Sequence, residues 1–164
     1  MKYIFFFRVG ENNGIFSNWW KSKFVVDGLE FNCVEQYMMW SKAKVFRDEA
    51  AMRAILRSSS PADIKKLGRQ VHNFDSKKWD SVKFEIVVTG CYNKFSQNDD
   101  LKKALIATGE SVLVEASPYD RIWGIGLGPS DPRRLNPKNW SGQNLLGKAL
   151  CEVREKITNE VTTS

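Results

Sequence analysis

Glu35 and Lys42 stand seven residues apart in VEQYMMWSKAKVF, a stretch without turn residues and rich in helix formers. Seven steps at 3.6 residues per turn return almost to one face, so a carboxylate and an ammonium point the same way. If that face lines a cleft, burial and mutual attraction perturb both groups, as catalytic groups require; on a solvated face the two are an ordinary ion pair. A second cluster lies in ASPYDRIWGIGLG, residues 116–128, where Asp120, Arg121 and Trp123 precede Gly124, Gly126 and Gly128. GIGLG lacks the full G-x-G-x-x-G pattern, and Pro129 falls where a helix should propagate, which excludes a dinucleotide-binding turn. The remaining physical account is a flexible backbone that approaches a ligand closely, with Asp120 as a second carboxylate just before it.

Six tryptophans are generous for 164 residues. Trp19, Trp20, Trp79, Trp123 and Trp140 lie beside turn-forming or polar residues rather than within apolar stripes. Planar side chains so placed can stack on a nucleobase while nearby Arg and Lys meet phosphates, and core packing accounts for at least half of them. The single histidine, His72, reads as an ordinary loop residue. Cys33, Cys91 and Cys151 are far apart, odd in number and without paired metal-ligand spacing, so reduced thiols in a cytosolic protein and no metal site are expected. A net charge of +6 and a pI near 9.3 favour an anionic partner.

These residues need elements to position them. MKYIFFFRVG is too short to span a bilayer and lacks a signal-peptide cleavage site; Tyr3–Phe7 reads as a first strand. Phe24–Asn32 reads as two strands joined through Asp27-Gly28, the tight-hairpin dipeptide. Helices follow from Val34, through RDEAAMRAILR, and from Pro61 to Leu67. A long one is expected from about Trp79 to Phe95 and a shorter one from Asp99 to Ala107. SVLVEA returns to strand character, and NLLGKALCEVREKI closes with a helix. With no linker or internal repeat, the expectation is one α+β domain, mainly helical with a small sheet, over 1–159, then a flexible tail at 160–164.

GIFSNWW...FVVDGLEFNCVEQYMMWSKAKVF, KKWDSVK, SPYDRIWGIGLG and WSGQNLLGKALCEVRE together resemble the NADAR superfamily, also called YbiA-like, in order from about residue 3 to 157. The resemblance implies an N-glycosidase that needs no cofactor. Members hydrolyse the N-glycosidic bond of early riboflavin-pathway intermediates, and others remove ADP-ribose from guanine in DNA, reversing DarT-type toxins. Glu35 matches the family's catalytic glutamate and Lys42 the lysine that follows it. Trp79 matches the tryptophan of the KWDSVK-like motif, and Asp120 and Trp123 match D-x-x-W-G. Phe16, Ser17 and Asn18 match the F-S-N loop, and Asn144, Leu146 and Gly147 match N-x-L-G. Gln36 departs from the pattern: many relatives carry histidine there, so any proton relay through that ring is absent.

Breaking a bond from C1 of ribose to nitrogen passes through an oxocarbenium-like state. On this reading Glu35 serves the sugar centre or activates water, and Asp120 holds ribose hydroxyls or the base. Lys42 either binds phosphate as a cation or, as a free amine, forms an imine with the ring-opened sugar. Trp79 and Trp123 stack on rings, with Arg121, Gly124 and Gly126 beside the ligand. The expected partner is an ADP-ribose-containing ligand, borne on DNA, with no membrane; the compartment is the cytoplasm, or also the nucleus in a eukaryote. A riboflavin intermediate is the alternative substrate, and a non-catalytic ADP-ribose or nucleic-acid module is the rival from another class.

Overall fold

The computed structural model describes residues 1–163, which form two compact units. One is built from Met1–Trp20 and the chain from Asp99 onward; the other is Lys21–Asn98. The chain is α+β and mainly helical, as its patterning predicts.

The Lys21–Asn98 unit opens on a β-hairpin whose two short arms are joined by a two-residue turn. Counting in chain order, β1 is Tyr3–Phe6 of the other unit, and the hairpin strands are β2, Phe24–Val26, and β3, Leu29–Phe31, paired antiparallel with Phe24 opposite Phe31. Asp27 (φ 50°) and Gly28 (φ 83°) both adopt positive φ, which is what a hairpin turn matched to strand twist demands. Four helices follow: α1, Val34–Val45; α2, Glu49–Arg57; α3, Pro61–Arg69; and α4, Ser76–Ser96. Asp48 caps α2 through Ala51 N, Ser60 caps α3 through Asp63 N with Pro61 in its first turn, and Asp75 caps α4 through Lys77 N. Helix α1 is central and packs against α2, α3 and α4. Gly68 and Gly90 set those approaches: a methyl at Gly68 would overlap Met39, and one at Gly90 would lie 2.9 Å from the Tyr37 ring. Phe24, Phe31 and Tyr37 join the hairpin to α1 as an aromatic cluster.

Lys94 is 1% exposed on α4, its ammonium 4.8 Å from the Phe95 ring centre. Burial pushes its pKa down from 10.5 to about 8, against the pull of nearby Cys91 and Cys33, while burial raises those thiols to about 12 and about 11. Between pH 8 and 10.5 the unfolded chain therefore binds more protons at Lys94 than the folded one, so this group's contribution to stability rises with pH and is lost as pH falls through 8. Comparing wild type with Lys94→Met cancels the thiols common to both. Urea melts across that window should show wild type gaining on the variant by roughly 3 kcal/mol. A pH-independent difference would mean that Lys94 keeps its proton throughout.

In the other unit, β1 pairs in parallel with β4, Val112–Glu115, with Tyr3 opposite Val112. Helix α5, Asp99–Ala107, precedes β4, and α6, Leu145–Thr163, ends the described chain. Val114, Ala116, Ile125 and Leu127 form one cluster of its core, packed against Tyr3, Phe5, Val112 and Trp140. Helix α6 runs on through residues expected to be a flexible tail. The hydroxyls of Thr162 and Thr163 donate to the carbonyl of Asn159, and that of Thr163 also to Glu160, tying side chains to the backbone of the last turn. Ser164 lies outside the described residues. No helix among the described residues is long and apolar enough to cross a membrane.

Candidate active site

Glu35 sits in the first turn of α1, where the positive end of the helix dipole favours a carboxylate, and Lys42 in the last, where the negative end favours an ammonium. Glu35 is buried and Lys42 half-buried. The two attract each other across the intervening turns, as their spacing predicts. Burial pushes the Lys42 pKa down; the Glu35 carboxylate draws it back up, and Arg69 at the end of α3 lowers it.

Aromatic rings flank this lysine. Its Nζ lies 4.5 Å from the ring centre of Phe74 and 6.0 Å from that of Trp79. Trp79, 8% exposed in the first turn of α4, is thus brought near Lys42 as a wall of the lysine's surroundings. Phe46 at the end of α1 meets Phe74 edge-on at 5.3 Å. Phe74 escapes the sequence reading although its setting, an aromatic among the polar turn residues of HNFD, is the one that singles out the tryptophans. His72, beside it, is exposed in the same loop, with its backbone N–H donating to Asp48.

Gln36 does structural work. Its amide nitrogen donates to the carbonyls of Ile55 (3.0 Å) and Ser58 (3.1 Å), and its oxygen accepts from Asn32 N–H at 2.8 Å. It satisfies the end of α2 and the entry to α1, with no proton to relay.

The remaining sequence-derived residues belong to the unit of β1 and β4. Phe16, which ends a short 3-10 turn, and Ser17 and Asn18 after it are all buried, and the Ser17 hydroxyl accepts from Trp19 N–H. Asp120 closes a turn on itself: Oδ1 accepts from Ile122 N–H at 2.9 Å and from Trp123 N–H at 2.8 Å. One oxygen of the expected second carboxylate therefore fixes the backbone that carries Trp123, while the Arg121 side chain stays exposed.

The expectation of a flexible glycine backbone at 124–128 is corrected here. Ile125 N–H donates to Glu115 O, its carbonyl accepts from Ser141 and Gly142 N–H, and Gly124 O accepts from Asn144 N–H. Carbonyls of Ile122 and Trp123 receive the Leu145 and Leu146 N–H groups, capping the first turn of α6. Ile125 is fully buried. A side chain at Gly124 would lie 2.9 Å from Glu115 O, and Gly126, at φ 76°, would drive one into Ser141. These glycines let one chain segment pack on another, so they are structural before they are anything else.

Asn144 and Gly147 answer to the same packing. Asn144, 4% exposed at φ 52°, donates from Nδ2 to Leu113 O and accepts at Oδ1 from Glu115 N–H, both at 3.0 Å, mimicking a third strand on the edge of β4. A cavity of about 620 Å³ opens at β1, lined by Tyr3, Phe5, Asn12, Asn13 and Arg134 among others, and holds none of the sequence-derived site residues.

A model of the NADAR domain matches residues 5–158. The chain is 44% identical over 163 residues to N-glycosidase R617 of Acanthamoeba polyphaga mimivirus, covering 94% of this chain and 96% of that protein. It is 32% identical over 157 residues to N-glycosidase YbiA of Escherichia coli K12, covering 96% and 89%. The solution NMR structure of E. coli YbiA superposes with a TM-score of 0.83 at 31% identity, over 99% of this chain and 89% of that one. With that coverage, the chain belongs to the NADAR family and is a hydrolase of N-glycosidic bonds.

Proposed function

We propose that this hydrolase removes ADP-ribose from ADP-ribosylated guanine in DNA. The observation that carries the reading is the constellation on α1: a buried carboxylate attracting a half-buried ammonium walled by Phe74 and Trp79. A carboxylate stabilises the cation that grows at C1 of ribose as the bond to the guanine nitrogen breaks and its electron pair departs with the base. Water then adds its oxygen to C1, and its proton is passed, directly or through Glu35, to the leaving base, which regenerates the carboxylate. The aromatic faces favour the charged form of Lys42 and burial the free amine, so both its roles, phosphate binding and attack on the opened sugar, stay within reach. An excess of six positive charges supports a substrate carried on a polyanion over a free sugar phosphate. Asp120, Trp123 and the Phe16–Asn18 segment belong to the proposal as further substrate contacts.

The test offers the protein an oligonucleotide bearing ADP-ribosylated guanine and, separately, ribosylaminouracil phosphate, and follows released sugar. The oligonucleotide should be cleaved with a kcat/KM at least tenfold higher, and that advantage should shrink steeply between about 50 and 200 mM salt as phosphate contacts are screened. Preference for the aminouracil would make a riboflavin intermediate the substrate. Cleavage of neither would leave a binding module.

A further inference from the structure

Phe74 is 45% exposed, whereas the rings around it, Phe46 and Trp79, are buried. A lone exposed phenylalanine is common and by itself says nothing. This one is different because its ring lies 4.5 Å from the Lys42 ammonium and packs edge-on against Phe46, so part of it is fixed within the site while part remains open. Its loop is also held at both ends. On one side His72 N–H donates to the Asp48 carboxylate at 2.9 Å, and the same carboxylate caps α2. Asn73 then turns the chain at φ 61°, and on the other side Asp75 caps α4 and accepts, through its carbonyl, the Trp79 N–H. Both anchors fall within two residues of Phe74, which presents its ring without the freedom of an ordinary loop tip.

We propose that Phe74 is a substrate-binding residue of this site, its open ring surface stacking against a planar heterocycle of the substrate while Lys42 and Glu35 meet the sugar. The inference rests on the glycosidase reading of the α1 constellation and adds to it the chemical class of group that lies over the α3–α4 loop. Stacking on an aromatic side chain suits this role because every base has a π-face, and the guanidinium and ammonium groups near the loop, Arg69 and Lys42, leave the ring itself as the apolar surface.

The experiment uses the full chain carrying Glu35→Gln, so that ligand survives the measurement, with Phe74→Leu or Phe74→Trp added. Binding is read by calorimetry for three probes: the ADP-ribosylated oligonucleotide, ribosylaminouracil phosphate, and ribose 5-phosphate, which has no planar ring. Loss of the ring in Phe74→Leu should weaken whichever ring-bearing probe binds by about 5- to 50-fold and leave ribose 5-phosphate within about twofold, while Phe74→Trp restores affinity. Equal weakening of ring-bearing and ring-free probes would overturn the proposal and make Phe74 a support for Lys42. Unchanged binding in Phe74→Leu, failure of Phe74→Trp to restore it, or no binding of either ring-bearing probe to the parent would also overturn it. The substrate reading stands or falls separately, on cleavage by the wild-type protein.

Discussion

Glu35→Gln should fold as wild type does and lose about 10³-fold or more in turnover on the preferred substrate, with KM changed far less. The substitution keeps the size and shape of the side chain, exchanges one acceptor oxygen for an NH2 donor, and removes its charge and its basicity. Both losses fall on the reaction: the uncharged amide cannot stabilise positive charge at C1 or take a proton from water. A secondary effect runs through Lys42. The carboxylate is the influence that raises the lysine's pKa against burial, so without it Lys42 releases its proton at still lower pH. The limb that Lys42 sets in the pH–rate profile of any residual activity, alkaline for a working cation and acidic for a working free amine, should therefore move to lower pH, where a group that merely packs would leave it in place. Circular dichroism and a thermal melt serve as the folding control. Activity within tenfold of wild type would remove Glu35 from the mechanism.

How much of this site is legible beforehand depends on how local each constraint is. The Glu35–Lys42 pair is readable because a helix converts a spacing of seven into a shared face, and nothing beyond α1 is needed to place it. The β2–β3 hairpin is readable for the same reason: Asp27-Gly28 fixes the turn and the turn fixes the register. The parallel pairing of β1 with β4 is another matter. Tyr3 meets Val112 across more than a hundred residues, and no local pattern says which strand finds which.

Residue type alone is ambiguous where side chains serve the backbone. Asp120, Gly124, Gly126 and Asn144 have the residue types of a ligand-binding loop, yet each is also the type needed to turn or cap a tightly packed chain, and only the tertiary hydrogen bonds tell the uses apart. Gln36 illustrates the converse. Loss of a histidine at that position looks like a missing proton relay in sequence, whereas its amide bonds the carbonyls of Ile55 and Ser58. Phe74 lay outside every motif because short motifs record helical and turn positions, not which loop residue reaches a lysine on another element.

Gly147→Ala carries the largest expected cost to stability. In an isolated helix the change would help by about 1 kcal/mol, since glycine is a poor helix former. Here the added methyl would overlap the Leu113 carbonyl and the Asn144 amide, so α6 must back away from β4 or Asn144 must swing aside. Either response breaks the two 3.0 Å bonds that Asn144 makes to β4 and strands buried backbone groups, at about 1–3 kcal/mol each. Repulsion and orphaned groups together exceed the helix gain, and a net loss of roughly 3 kcal/mol or more is expected in urea melts. Gly10→Ala, where a methyl meets nothing within 4 Å, supplies the control and should stay within about 0.5 kcal/mol of wild type. A double-mutant cycle then locates the strain. Asn144→Ala removes one of the two obstacles and the bonds that the methyl would break, so Gly147→Ala should cost markedly less in that background than in wild type. Additive effects of the two substitutions would mean that the close approach of α6 to β4 does not run through Asn144.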